Sequence, residues 1–163
     1  MVATVQIVQK NGAGGSPTVV SGSTFTFKNA DNPDNDHNNR MIVPNVGADY
    51  SFEKWFALKV TAAPDIDIAD IRFYSTGVNP YGTGVTCWAK TENAFATPAE
   101  ATTEADYADA FSFTAAAPLT VGAGPYSGTG EKGDYVVMML KVTDTAGQGV
   151  LPGAVFTFAW DET

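Results

Sequence analysis

The chain has 163 residues, 44% of them hydrophobic and 12% aromatic, with 9 Lys and Arg against 18 Asp and Glu for a net charge of −9. That length supports a single well-buried core without calling for two domains, and the composition excludes global disorder. The acidic balance argues against nucleic acid or an anionic membrane as partner, since either needs a basic patch.

One histidine, His37, and one cysteine, Cys87, serve the whole sequence. Metal centres, Ser-His-Asp relays and Cys-His pairs all draw on those residue types. The chain therefore reads as working by surface and shape, with no catalytic residue and no cofactor assigned. Cys87 lies within Gly84-Val85-Thr86-Cys87-Trp88-Ala89, an apparent strand, and reads as a buried small hydrophobe. Met1 to Ile7 has neither a basic start nor a sustained apolar run, so no signal peptide is expected, and synthesis in the cytoplasm is. No apolar segment approaches transmembrane length.

Taken in chain order, the segments alternate with the period of two that marks a half-buried strand. Val5 and Ile7, with Ala3, begin the pattern; residues 1–17 are also read as an extended arm that adds a strand to a neighbour. Ser23 to Lys28 repeats the alternation through Phe25 and Phe27. Glu53 to Thr61 is the best central strand, with Phe56, Leu58 and Val60 on one side and Trp55, Ala57 and Lys59 on the other. Ile66 to Tyr74 follows, Ile71 and Phe73 inward and Arg72 and Tyr74 outward. Val85–Lys90, Phe111–Thr114, Tyr135–Val142 and Val155–Trp160 complete the set. Between them, Asn11–Pro17, Asn79–Gly84, Gly122–Gly133 and Thr145–Gly149 are turn-rich. Thr97–Ala108 reads either as a helix, from its Thr97-Pro98-Ala99-Glu100 start, or as a long exposed loop. The expectation is one all-β domain spanning the chain, an antiparallel β-sandwich of jelly-roll or immunoglobulin-like type with about eight to nine strands and at most one short helix.

Three constellations invite chemistry. Asp31-Asn32-Pro33-Asp34-Asn35-Asp36-His37-Asn38-Asn39 begins like a calcium loop, because hard cations want clustered carboxylate and amide oxygens. Asn39 then stands where glycine belongs and Asn45 where the bidentate glutamate belongs, so Asp31, Asp34 and Asp36 are only weak metal candidates. The loop otherwise reads as a solvated surface or one that meets a neighbouring subunit. Asp65, Asp67 and Asp70 combine on paper with Glu53 or Glu92 into a glycosidase-type carboxylate pair, though their alternation with Ile66 and Ile68 is what a strand with one wet face looks like. Trp55, Trp88, Tyr74 and Tyr81 suggest either a sugar-stacking platform or ordinary core and interface aromatics. Gly128 to Gly133 lacks the phosphate-loop spacing.

Tyr50-Ser51-Phe52-Glu53-Lys54-Trp55-Phe56-Ala57-Leu58-Lys59-Val60, followed by Ile68-Ala69-Asp70-Ile71-Arg72-Phe73-Tyr74, resembles a pattern in small virion structural proteins of tailed bacteriophages. Gly84-Val85-Thr86, Phe95-Ala96-Thr97-Pro98, Asp134 to Val142 and the closing Phe156 to Glu162 continue it in order, so the likeness covers residues 41–162. The resemblance implies a head decoration or minor capsid protein without enzymatic residues, sited on the outer surface of the virion. Its partners would be the major capsid protein and further copies of itself, as a trimer at a capsid threefold axis. A tail or connector component is the alternative within that class, and a carbohydrate-binding β-sandwich module the alternative outside it. The residues expected to touch partners are Val5 and Ile7 in the arm, Asp34, Asp36 and His37 in the Asx-rich loop, and Glu100, Glu104 and Asp106 in the acidic segment Glu100 to Asp109.

Overall fold

The computed structural model describes residues 2–162, and these form an all-β sandwich of two antiparallel sheets. The strands are β1 (Thr4–Asn11), β2 (Ser16–Val19), β3 (Ala48–Tyr50), β4 (Lys54–Ala62), β5 (Ile68–Ser75), β6 (Val85–Glu92), β7 (Ala108–Asp109), β8 (Leu119–Gly122), β9 (Gly130–Thr143) and β10 (Phe156–Glu162). One sheet has seven strands in the order β2-β1-β4-β9-β6-β7, with β3 also paired to β9; the other has three, β10-β5-β8.

The 14-residue β9 is the axis of the larger sheet and pairs with β3, β4 and β6. Its alternation sends Val136, Met138, Leu140 and Val142 into the core, where they meet Phe56, Leu58 and Val60 of β4 and Val85, Cys87 and Ala89 of β6. Ile68, Ile71 and Phe73 of β5 and Val121 of β8 close the core from the smaller sheet. The outward set on these strands is apolar as well, and it too is covered. Trp55, Ala57, Val137 and Met139 are buried on the outer face. Trp55 packs edge-on against Phe95 and tilted against Tyr135, with ring centroids 5.4 and 5.9 Å apart. A sheet hidden on both faces explains why its central strands carry near-continuous apolar runs.

Three sequence expectations are corrected here, and one left open is settled. Residues 4–11 are not a free arm: β1 is laddered to β4 on one side and β2 on the other, and Val5 and Ile7 pack against the core of their own sandwich. Ser23–Lys28 keeps its alternation, Phe25 and Phe27 turning toward the core, but joins no ladder. Phe111–Thr114 is not a strand. The Asp109 carboxylate accepts from the Phe111 amide, and the Ser112 hydroxyl donates to the Asp109 carbonyl, winding Ala110–Ser112 into one turn of 3-10 helix. Thr97–Ala108 is a loop up to β7, because its backbone bonds across to the sheet: the Glu53 amide donates to the Ala99 carbonyl and the Ala101 amide to the Ser51 carbonyl. The burial of Cys87, at 0% exposure, is as expected.

The β4–β9 register shifts between Phe56 and Leu58, so β9 bulges around Gly133. Gly133 has φ +72°, and a Cβ there would stand 2.8 Å from the Val121 carbonyl oxygen of the opposite sheet. Gly133→Ala is expected to cost about 2–3 kcal/mol, from left-handed strain plus the clash, read as a lower midpoint in urea unfolding.

Candidate functional site

Three strands cannot cover seven. Beyond β10 the inner face of the larger sheet is roofed by the loops 20–43 and 147–155, and between the roof and β10 lies an open, largely apolar cavity of about 1080 Å³. Its floor includes Phe56, Met138 and Leu140, and its walls Phe25, Phe27, Phe73, Phe156 and Phe158. The aromatic walls interlock: Phe73 stacks on Phe156 at 5.6 Å with an 11° interplanar angle, and Phe25 sits 4.8 Å from Phe56. Four apolar side chains on the rim face water, Ile42, Val150, Leu151 and Val155, with Val150 at 90% exposure. A concave apolar surface with such a rim makes this cavity the candidate site.

The Asx-rich loop borders this cavity and is organised around ammonium groups. Lys28 is only 1% exposed; its Nζ donates to the Asp36 carboxylate and, at 3.2 Å, to Asn32 Oδ1. Lys54, 2% exposed on β4, donates to the Asn32 carbonyl at 2.8 Å and feels the charges of Asp31 and Asp34. Burial pushes Lys54 down to about 8, against the pull of those carboxylates. The Lys28 bond, first of several causes, holds the Asp36 carboxyl below its usual range. Asp31 accepts from the Gly12 amide at 2.7 Å, and Asp36 also accepts from the Asn38 amide and side chain. Among the described residues no group of three or more His, Cys, Asp or Glu is placed to hold a metal. The oxygen cluster that suggests calcium in the sequence surrounds lysine heads instead. His37 is exposed, and its carbonyl accepts from the Arg40 side chain at 2.9 Å.

The acidic segment is likewise engaged. Glu104 accepts from Lys141 at 2.5 Å and from the Tyr50 hydroxyl at 2.6 Å, fastening the loop 97–107 to the outer face of the larger sheet. The Lys141 bond, then the Tyr50 bond, bring Glu104 down to about 2, and the adjoining carboxylate pushes Tyr50 up. Glu100 is exposed and sits in an isolated bridge between its backbone and that of Phe52; Asp106 is exposed in a turn.

Of the carboxylates in the glycosidase-type pair, Asp70 and the two glutamates lie on different sheets. Glu53 accepts from Tyr107 and Trp55, and Glu92 pairs with Lys90, both on the outer face of the larger sheet. Asp70 lies in β5 of the other sheet at φ +47°, its amide bonded to the Ala123 carbonyl. Nor do the aromatics make a platform: Trp55 is 3% exposed, Trp88 and Tyr74 are half-buried on different sheets, and Tyr81 packs edge-on against Phe111. The cavity was not foreseen from sequence. Its signal was the alternation in Ser23–Lys28, which marks an apolar face with no partner strand. Comparison with known proteins returns no matching family model, no similar curated protein and no similar solved structure.

Because Lys54 has a folded pKa near 8, below its ordinary 10.5, the unfolded chain binds the extra proton between those values. Stability should therefore rise as pH goes from about 8 toward 10, and the difference between wild type and Lys54→Met, measured by denaturant unfolding across that window, should isolate the rise. Tyrosines with raised pKa values act oppositely above about pH 10 but are common to both proteins and cancel. Millimolar calcium should leave Tm unchanged; a calcium-dependent rise would contradict a loop already filled by lysines. Glu104 behaves in the reverse sense: its contribution is complete above its ordinary 4.5 and drains away as pH falls toward about 2. Glu104→Gln should lose about 1 kcal/mol near neutral pH and speed amide exchange at Ala101, leaving the core strands protected.

Proposed function

We propose that this chain is a non-enzymatic structural protein of a tailed-phage virion, a decoration subunit that binds the outside of the mature head and stabilises it. The observation that carries the reading is the open apolar cavity with its exposed rim of Ile42, Val150, Leu151 and Val155, beside a larger sheet whose central strands are buried on both faces. That is the form of a protein that works by docking. The order of sequence elements from Tyr50 to Glu162, which resembles small virion proteins, supplies the setting. A decoration subunit adds buried area between shell subunits and so favours the assembled state by mass action. A net charge of −9 keeps free copies apart before assembly and suits a complementary basic surface on the major capsid protein. Made in the host cytoplasm, the subunit would seat at a local symmetry axis, as a trimer of itself at a threefold position.

Quantitative mass spectrometry of purified particles tests the reading. Copy number comparable to the major capsid protein is expected. A handful of copies per particle would move the chain to the tail or connector, and absence from particles would overturn the virion reading and bring forward binding to host-surface glycans.

A further inference from the structure

The edges of the two sheets are not treated alike. Edge strands are kept short, charged or broken by proline, because an open row of N–H and C=O groups invites another strand. β2 has four residues and carries Pro17, β3 has three, β7 two and β8 four. β10 has seven, Phe156-Thr157-Phe158-Ala159-Trp160-Asp161-Glu162, without proline or lysine, and ladders only to β5. Among the described residues nothing bonds the backbone of its other edge.

A second unpaired backbone lines the same cavity. Thr24, Phe25, Thr26 and Phe27 have no main-chain hydrogen bond; the bonds that flank them are Ser23 amide to Val20 carbonyl and Phe52 amide to Lys28 carbonyl. Their side chains are nonetheless set as in a strand, the two phenylalanines toward the core and the two threonine hydroxyls bonded to Asn35. The smaller sheet thus has an open edge, an apolar cleft beside it, and an extended segment along the cleft's lining.

We propose that the cavity is the acceptor groove for an extended segment of a different protein, about seven residues long to match β10, which adds to the smaller sheet as its missing strand. Its main chain would satisfy the β10 edge, and its alternate, apolar side chains would bury against Phe56, Phe73, Met138 and Leu140. Charge chooses the donor. A second copy would bring another −9, whereas a segment with Lys or Arg at its water-facing positions is attracted to this chain, whose β10 ends in Asp161 and Glu162. The inference stands on the groove's geometry and the chain's charge and holds whether or not the chain belongs to a virion.

The test is to extend the full chain after Thr163 with an Asn-Gly turn and seven residues alternating valine and lysine, which returns a strand antiparallel to β10. The expected result is a rise in Tm of about 5 °C, with amide exchange in Phe156–Glu162 slowed by about 100-fold. The same extension with proline at two central valines should give neither effect, and one alternating valine and glutamate should give a smaller rise. The acceptor groove is overturned if the valine-lysine extension leaves Tm and exchange unchanged, or if the proline version does as well. The charge argument is overturned if glutamate matches lysine. Finding the β10 edge amides of the unextended protein protected in a dimer by sedimentation would make the occupant a second copy and end the proposal of a foreign donor.

Discussion

The larger sheet is wider than the smaller one laid on it, and the remaining features of the molecule follow from how the uncovered strip is managed. Seven strands present an inner apolar face whose part beyond β10 has no strand above it. Exposing Phe56, Met138 and Leu140 outright would forfeit several kcal/mol of burial, on the order of 2 kcal/mol for each large side chain. Loops do the covering instead. Phe25 and Phe27 lean in from one, and the segment 147–155 overhangs from the other. Loops roof a sheet less completely than strands do, because their backbones must stay solvated, and the cavity is what remains.

The roof then needs its own anchor, and buried lysines provide it. Lys28 is within the first roofing loop and Lys54 is on the sheet, and Asn32 accepts from both, through its side chain and its carbonyl respectively. Two ammonium groups so close in a dry place would repel, yet Asp36 binds one directly and Asp31 and Asp34 bear on the other. Such a cluster is a poor source of net stability, since desolvation consumes most of the attraction, but it fixes one geometry. It also gives a stretch so rich in carboxylates and amides two ammonium groups to close around.

The strands with a regular alternation and a covered face, β1, β4, β5, β6, β9 and β10, were legible from residue pattern because side-chain period and burial agree in them. Elsewhere the pattern misled, stayed open or was silent. Phe111–Thr114 has strand composition, but Asp109 captures the Phe111 amide and winds Ala110–Ser112 into a turn. Thr97–Ala108, open between helix and loop in the sequence, is settled as a loop by backbone partners on Ser51 and Glu53, far away in sequence. β2, β3, β7 and β8 are too short for a period to show. Glu104 could be named as an acidic contact residue but not as a fastening to Lys141 and Tyr50, because only the fold brings residues 50, 104 and 141 together. The same limit hid the cavity: sequence reports a strand's apolar face but not the absence of its neighbour.

Ser23–Lys28 is where local pattern and tertiary structure disagree most openly. Its residues are those of an edge strand, with phenylalanine and threonine alternating, and Phe25 and Phe27 already contribute their rings to the core. Only the ladder is missing. An extended segment with unpaired amides costs little while water can reach it, whereas a dry gap would cost on the order of 1–3 kcal/mol for every unsatisfied group. The open mouth of the cavity is therefore a condition of the free protein's stability, not a packing fault. A strand arriving from outside would displace that water, supply the bonds it had supplied, and add the burial of its own alternate side chains. The same backbone groups that are tolerable when wet become, once a partner closes the gap, part of a continuous sheet.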